Sequence, residues 1–170
     1  VQHPAKANIL MLKWIVERYS APGDLICDPM AGTFSTAIIA GLLGRDAVGV
    51  EYEEKFYQMG LANKDLFDRL PTLTAKGRIT VLKGVARELS KILSRCDEIA
   101  TSPPYSHESY KYPGQKPTPW RVAHNFKIGH EVNSDYYSED PDNLGNKKGK
   151  TYLGEMKKVY GECFSVLKDG

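Results

Sequence analysis

Apolar positions change their spacing several times along the chain, and each change marks a predicted element. Apolar residues recur at helical spacing from Ile9 to Tyr19, and the breaker Pro22-Gly23 follows them. This pattern predicts an amphipathic helix. The short apolar run at 24–28 then predicts a buried strand.

The alternation of helical and strand-like stretches continues to residue 101. Helices are predicted at 35–43, 53–70 and 87–93, and strands at 47–50, 79–82 and 98–101. Strands that alternate with helices at this spacing predict a parallel sheet covered by helices on both faces. The expected fold class is therefore α/β, with a doubly wound, mostly parallel sheet.

The stretch from 106 to 150 breaks this pattern. Gly, Pro, Asn, Asp and Ser accumulate there around scattered aromatic residues, and a loop of this length inside a domain is usually functional or disordered. Helical spacing returns at 151–167, and a helix in such a fold normally leads into another strand. We expect one incomplete domain over 1–170, with a long loop insertion at about 106–150 and without its C-terminal strands.

Composition narrows the class of protein. The chain has 170 residues, 41% of them hydrophobic, which is enough for a core, and its net charge of +2 neither requires nor excludes a nucleic acid. Three widely spaced cysteines without a Cys-x-x-Cys pair argue against disulfides and zinc, and favour a reducing, cytoplasmic setting. No apolar run reaches the about 18 residues of a membrane span. We predict no membrane partner and no metal.

Two candidate features lie at the ends of the first two predicted strands, where open parallel sheets bind ligands. The turn at 28–36 can direct backbone amides and a helix N-terminus towards a ligand. Glu51 ends the second strand, where a carboxylate can accept hydrogen bonds from both hydroxyls of a ribose. Alone, either could be an ordinary turn or a solvated acid. The turn lacks the GxGxxG fingerprint of nicotinamide-dependent dehydrogenases.

Ser102-Pro103-Pro104-Tyr105 ends the fourth predicted strand. Because proline lacks an N–H and has a fixed φ, the loop is stiff and exposes acceptors rather than donors. The Ser102 hydroxyl and the Pro103 carbonyl can accept hydrogen bonds from an exocyclic amine, and the Tyr105 ring can stack on a flat heterocycle. The alternative is a proline terminator of a strand with no chemical role.

Three motifs in this order resemble the S-adenosylmethionine-dependent amino-methyltransferases, which modify cytosine N4 or adenine N6 in DNA. The turn at 28–36 is similar to the family's cofactor loop D-P-F-x-G-x-G-T-T, and Ser102–Tyr105 matches its catalytic loop (D/N/S)-P-P-(Y/F/W). His3-Pro4-Ala5-Lys6 resembles its H-P-x-K segment. The order resembles the gamma-like subclass, with recognition elements after the catalytic loop, and implies a Rossmann-like methyltransferase fold of the kind found in restriction-modification systems.

The resemblance assigns roles to particular residues. Its implied catalytic residues are Ser102, Pro103, Pro104 and Tyr105. Its implied cofactor-binding residues are His3, Pro4, Lys6, Asp28, Pro29, Met30, Ala31, Gly32, Thr33, Thr36, Glu51, Tyr52, Val85 and Ala86. Two residues depart from the family pattern: Phe34 stands at its second glycine, and Val85 at an aspartate that usually meets the adenine amine of the cofactor.

The implied reaction is a direct transfer of the methyl group to the amine. Acceptors at Ser102 and Pro103 would favour a tetrahedral nitrogen, and the base would be flipped out of the duplex onto Tyr105. A cytosine C5-methyltransferase would require a Pro-Cys nucleophile, and none of the three cysteines follows a proline. A serine before Pro-Pro is more usual in cytosine-N4 members, so cytosine precedes adenine N6 as the expected target.

Partners follow from the same resemblance. DNA is the expected partner, and the insertion offers Tyr110, Trp120, Arg121 and Lys127 as aromatic and cationic contacts to bases and phosphates. RNA base methylation and a degenerate, non-catalytic nucleic-acid-binding domain remain the alternatives. An exposed fourth strand would also favour a dimer, or a partner chain that supplies the missing strands.

Overall fold

The computed structural model describes residues 7–104, 138 and 140–169. Within these residues lies a four-stranded parallel sheet of order β3-β2-β1-β4. Its strands are β1 (Leu25–Asp28), β2 (Asp46–Glu51), β3 (Ile79–Lys83) and β4 (Glu98–Ile99). The α-helices of this part are α1 (Ile9–Tyr19), α2 (Ser35–Leu42), α3 (Glu54–Arg69), α4 (Leu89–Ile92) and α5 (Gly149–Val166), with 3-10 turns at Ala86–Glu88 and Leu144–Asn146.

Helices cover both faces of the sheet. Successive strand residues point to opposite faces, so Ile26 joins one buried cluster with α1, α2 and α3, while Cys27 joins a second with α4 and α5. The two central strands, β1 and β2, are near-continuously buried, as expected of a parallel sheet between two helical layers. The predicted α/β, doubly wound class is confirmed.

The boundaries differ from the predicted ones near the end of the sheet. β4 contains two residues instead of the four predicted, because Thr101 directs its side chain to Asp28 and the prolines that follow cannot donate to a ladder. The helix predicted at 87–93 is a 3-10 turn followed by the single-turn α4. α5 begins at Gly149, so the irregular stretch ends before the predicted residue 150.

The residues after α5 run beside the start of β4. Cys96 and Leu167 form a parallel bridge. The Cys96 N–H donates to Val166 O at 2.8 Å, and the Lys168 N–H donates to Cys96 O at 3.0 Å. Asp97, by contrast, donates its N–H towards β1, to Leu25 O. Leu167 and Lys168 thus lie beside Cys96, just before β4, while Asp97 faces β1.

Candidate functional site

A pocket opens at the carboxyl ends of the strands, where the sequence predicted a ligand. It encloses about 630 Å³, including space that is open to solvent. Predicted site residues in its lining are Pro29, Met30, Gly32, Glu51, Tyr52, Val85, Ala86, Ser102 and Pro104. Residues from the turn at 28–36, the end of β2, the turn after β3 and the predicted catalytic loop therefore line one cavity.

Asp28 lies buried beneath this pocket and does not line it. Its Oδ1 accepts a hydrogen bond from Thr101 Oγ1 at 2.7 Å and another from the Met30 N–H at 3.2 Å. Burial raises the pKa of Asp28, and its hydrogen bonds, including one from Thr36, lower that pKa in part. The carboxylate thus ties the turn after β1 to the loop after β4.

Glu51 lines the pocket from the end of β2. Its side chain is only 7% exposed, and its two oxygens accept the Gly32 N–H at 2.7 Å and the Glu53 N–H at 2.8 Å. Burial raises the pKa of Glu51 to about 7, against the lowering effect of these two amides. Each carboxylate oxygen can accept more than one hydrogen bond, so Glu51 retains capacity for a ligand hydroxyl.

Phe34 adopts the backbone conformation of the glycine that it replaces in the family pattern. Its φ is 64°, in the left-handed region, and its ring is 1% exposed. A Cβ on Gly49 or Gly60 would approach that ring to 2.4 Å or 2.3 Å. The ring therefore fills a notch between β2 and α3, and Phe34 is not among the residues that line the pocket.

Val85 and Ala86 form the side of the pocket that follows β3. The Gly84 N–H donates to the Glu51 backbone oxygen at 3.0 Å, which fixes this turn against the end of β2. Where the family pattern has a carboxylate, the wall here carries the apolar side chain of Val85. Asp142 lines the same pocket from another segment.

Residues 142–144 supply a wall of the pocket that the sequence did not predict. Glu53 Oε1 accepts hydrogen bonds from the Ser138 N–H at 2.9 Å and from the Asn143 amide. The Tyr52 hydroxyl donates to Asp140 Oδ2. The lining residues missed in the sequence are Glu53, Phe56, Arg87, Asp142, Asn143 and Leu144. Glu53 and Asn143 lie 90 positions apart in the chain, so no local spacing pointed to their contact.

The predicted catalytic loop borders the pocket at Ser102, which is exposed, and at Pro104, which is partly buried. The Pro104 carbonyl accepts a hydrogen bond from the Tyr152 hydroxyl at 2.6 Å. Thr101, just before this loop, donates to Asp28, so the predicted catalytic loop lies beside the turn at 28–36.

Several predicted residues are not brought into the pocket lining. Ala31, Thr33 and Thr36 lie in the turn at 28–36, and Pro103 lies in the catalytic loop, but none of them lines the cavity. The predictions for His3, Pro4, Lys6, Tyr105, Tyr110, Trp120, Arg121 and Lys127 fall outside the described residues. Their roles stay predictions.

Two further properties concern the described residues alone. They contain no group of three or more His, Cys, Asp or Glu side chains arranged to hold a metal ion. Among the helices whose residues the structure describes, none is both long enough and apolar enough to cross a membrane. The three cysteines lie in one buried cluster, although they are far apart in sequence, and all three are free thiols.

The amino-terminal part of the chain is similar to known DNA methylases. Residues 1–64 match the model of a family described as DNA methylase. Over 64 residues the chain is 38% identical to the DNA adenine methyltransferase YhdJ of Escherichia coli (strain K12), which covers 38% of this chain and 22% of that protein. Over 49 residues it is 43% identical to the type II methyltransferase M.EcaI of Enterobacter cloacae, covering 29% of this chain and 11% of the relative.

A solved structure is also similar. A conserved hypothetical protein of Streptococcus pyogenes shares 26% sequence identity with a TM-score of 0.44, over 54% of this chain and 55% of that one. The sequence matches span about a fifth or less of the curated relatives just described. Over the residues that they cover, they confirm the resemblance to amino-methyltransferases.

Proposed function

We propose that this chain, whose first 64 residues match the DNA methylase family, is the catalytic region of a DNA methyltransferase. It would transfer a methyl group from S-adenosylmethionine to the exocyclic amine of a flipped-out base, with cytosine N4 as the first candidate. The observation that carries the proposal is that Ser102 and Glu51, from the ends of two different strands, line one pocket.

The residues at the end of β2 fit the nucleoside part of such a methyl donor. Glu51 offers two carboxylate oxygens oriented by backbone amides, and ribose hydroxyls are donors that such a pair can accept. Pro29, Met30 and Phe56 add apolar surface to the same pocket. Binding of a base ring against this surface would be favourable because the contact removes apolar area from water.

Val85 and Phe34 do not prevent this fit. The Phe34 ring lies in the core between Gly49 and Gly60, so the turn keeps its left-handed geometry. Val85 gives an apolar contact where the family pattern has an acid, while Asp142 supplies a carboxylate to the same cavity. These features favour a catalytic domain over a degenerate binding domain.

The acceptor side would act on the amine of the target base. When bound, S-adenosylmethionine would supply an electrophilic methyl group and leave as S-adenosylhomocysteine, and the methylated amine would release one proton. Ser102 and the Pro103 carbonyl would accept hydrogen bonds from the amine, which localises its lone pair for attack. No covalent intermediate with the protein is needed. Tyr105 would stack on the extruded base, a contact worth about 1–3 kcal/mol.

Adenine N6 is the second candidate base. The match to an adenine methyltransferase supports it, whereas the serine before Pro-Pro supports cytosine. Methylation of an RNA base is a third possibility, since the catalytic loop suits either nucleic acid. A cytoplasmic setting remains part of this proposal.

Titration of S-adenosylmethionine into the purified gene product tests the donor site. We expect saturable binding that weakens about 10- to 100-fold in Glu51→Gln, because a hydrogen bond to a charged group contributes about 1.5–3 kcal/mol. Glu54→Gln is the matched control, since Glu54 is exposed and pairs with Lys83 at the surface. No detectable binding to the wild type would contradict the proposal.

Labelled methyl transfer to DNA and to RNA, followed by nucleoside analysis, identifies the substrate. N4-methylcytosine in DNA is the expected product, and N6-methyladenine would select the second candidate. Label on RNA alone, or on cytosine C5, would refute a DNA amino-methyltransferase.

A further inference from the structure

Helix α5 contacts the predicted catalytic loop through Tyr152. The Tyr152 hydroxyl donates to the Pro104 carbonyl oxygen at 2.6 Å, although the two residues are 48 positions apart. Tyr152 is partly buried and packs against the cluster that contains Met156 and Val159 of the same helix. The donor is thus held by a packed helix, which limits its movement.

The same helix is attached to the opposite wall of the pocket. Glu155, three residues after Tyr152, forms an ion pair with Arg87 at 2.8 Å. Both side chains are largely buried, at 18% and 16% exposed. Arg87 also donates to the Asp142 backbone oxygen at 3.0 Å. Helix α5 therefore connects the loop after β4 to the pocket wall after β3.

Among the described residues, the loop has few other attachments. Neither Pro103 nor Pro104 has an N–H to donate. Between described residues, the side-chain hydrogen bonds at 101–104 are the one from Thr101 to Asp28 and the one from Tyr152 to Pro104. Ser102 and Pro103, the two predicted acceptors, lie between these two attachment points.

The carbonyl that Tyr152 binds is not one of the predicted acceptors. The Pro104 carbonyl belongs to the planar peptide that joins Pro104 to Tyr105, so a hydrogen bond to its oxygen fixes the plane of that peptide. Among the described residues, none donates a hydrogen bond to the Pro103 carbonyl. A misplacement of about 1 Å at a reacting group can cost about 100-fold in rate, so control of this peptide matters for transfer.

We propose that Tyr152 is a positioning residue that holds residues 102–104 in the geometry that binds the amine of the target base. The inference rests on the proposed function, because the loop's role in transfer is itself proposed. Tyr152 would not touch the base or the donor. It would act through the Pro104 carbonyl alone.

Tyr152→Phe, made in the full gene product, tests this role, with Tyr160→Phe as the matched control. Tyr160 lies on the same helix and is 55% exposed. In Tyr152→Phe we expect kcat for methyl transfer to fall about 3- to 10-fold, the equivalent of one lost hydrogen bond, with the donor Kd unchanged. The amide NMR signals of Thr101 and Ser102 should shift in this variant, and neither change is expected in Tyr160→Phe.

The outcomes separate this inference from the proposed function. Unchanged amide signals at Thr101 and Ser102 in Tyr152→Phe would overturn the positioning role, whatever the activity. An equal fall in kcat and donor affinity would also overturn it, because it would indicate a general structural effect. A wild type that binds no donor and transfers no methyl group would refute the proposed function, while the NMR comparison would still decide whether Tyr152 holds the loop.

Discussion

The carboxyl ends of β2 and β4 both carry residues of the candidate site, but they are held in different ways. β2 has six residues, pairs with strands on both sides, and presents Glu51 with each oxygen bound to a backbone amide. β4 has two residues, and the Ser102 that follows it is exposed. We call the end of β2, where the methyl donor is proposed to bind, the donor end, and the end of β4 with Ser102, where the target amine is proposed to bind, the acceptor end. Backbone amides orient the donor end, whereas side chains from distant segments hold the acceptor end.

This difference has a physical consequence for the proposed reaction. The ladder hydrogen bonds of β2 form with the sheet, and two backbone amides orient the Glu51 carboxylate at its end, so folding itself organises this end of the site. The acceptor end is held by Thr101 on Asp28 and by Tyr152 on Pro104, and single side-chain substitutions can release it. We expect variants at the acceptor end to change the rate of transfer, and variants at the donor end to change stability or donor affinity.

The largest effect on the donor end should come from Phe34→Ala. The ring is buried in the notch formed with Gly49 and Gly60, and removal of a buried phenylalanine side chain typically costs about 3–5 kcal/mol. Chemical denaturation should show this loss in the free energy of unfolding. Phe164→Ala, at a side chain that is 81% exposed, should change it by less than about 0.5 kcal/mol. Similar losses in both variants would contradict the packing described for Phe34.

The pH dependence of stability should report the burial of Glu51. Because its pKa is raised from 4.5 to about 7, the folded state holds a proton that the unfolded state has released between these two values. The free energy of unfolding should therefore fall as pH rises from about 4.5 to 7, by up to about 3 kcal/mol. Glu51→Gln should flatten this part of the curve.

Other carboxyl groups with shifted pKa values serve as an internal control when the wild type is compared with Glu51→Gln. Burial also raises the pKa of Asp28, and that contribution is present in both proteins. Asp97, whose pKa is lowered mainly by the Leu25 amide, acts in the opposite direction at lower pH. An identical slope in the wild type and in Glu51→Gln would show that Glu51 is not buried as described.

A smaller effect is expected where α5 meets the pocket wall. Arg87→Met removes a largely buried ion pair with Glu155 and a hydrogen bond to Asp142 O, and should lower the free energy of unfolding by about 1–2 kcal/mol. Lys158→Met removes an exposed partner of the same carboxylate and should cost less than about 0.5 kcal/mol. Equal effects would remove the distinction between the inner and outer partners of Glu155.

The sequence predicted the donor end more completely than the acceptor end, for a physical reason. The periodicity of apolar residues located each strand and so placed Glu51 at the carboxyl end of the second one, while the resemblance of the turn at 28–36 to the family's cofactor loop pointed to Gly32. The carboxylate of Glu53 binds Asn143 across 90 positions of the chain. No local pattern indicates such a contact, and the same is true of Tyr152 on Pro104.

Phe34 shows where comparison with a motif alone is incomplete. In the family pattern, a glycine stands at this position. The structure shows that Gly49 and Gly60 leave space for its ring, and that its φ is that of a glycine. The two glycines were visible in the sequence, but their proximity to Phe34 depends on how α3 packs on β2.

The central claim, that the two strand ends have separate roles in one transfer reaction, is tested most directly at Ser102. Donor Kd and the single-turnover rate of methyl transfer to DNA should be measured together for the wild type and for Ser102→Ala in the full gene product. The account predicts a donor Kd within about twofold of the wild type and a transfer rate lower by about 100-fold, the usual cost of removing a hydrogen bond that stabilises a transition state. An unchanged rate, or a loss of donor affinity that matches the loss of rate, would contradict it.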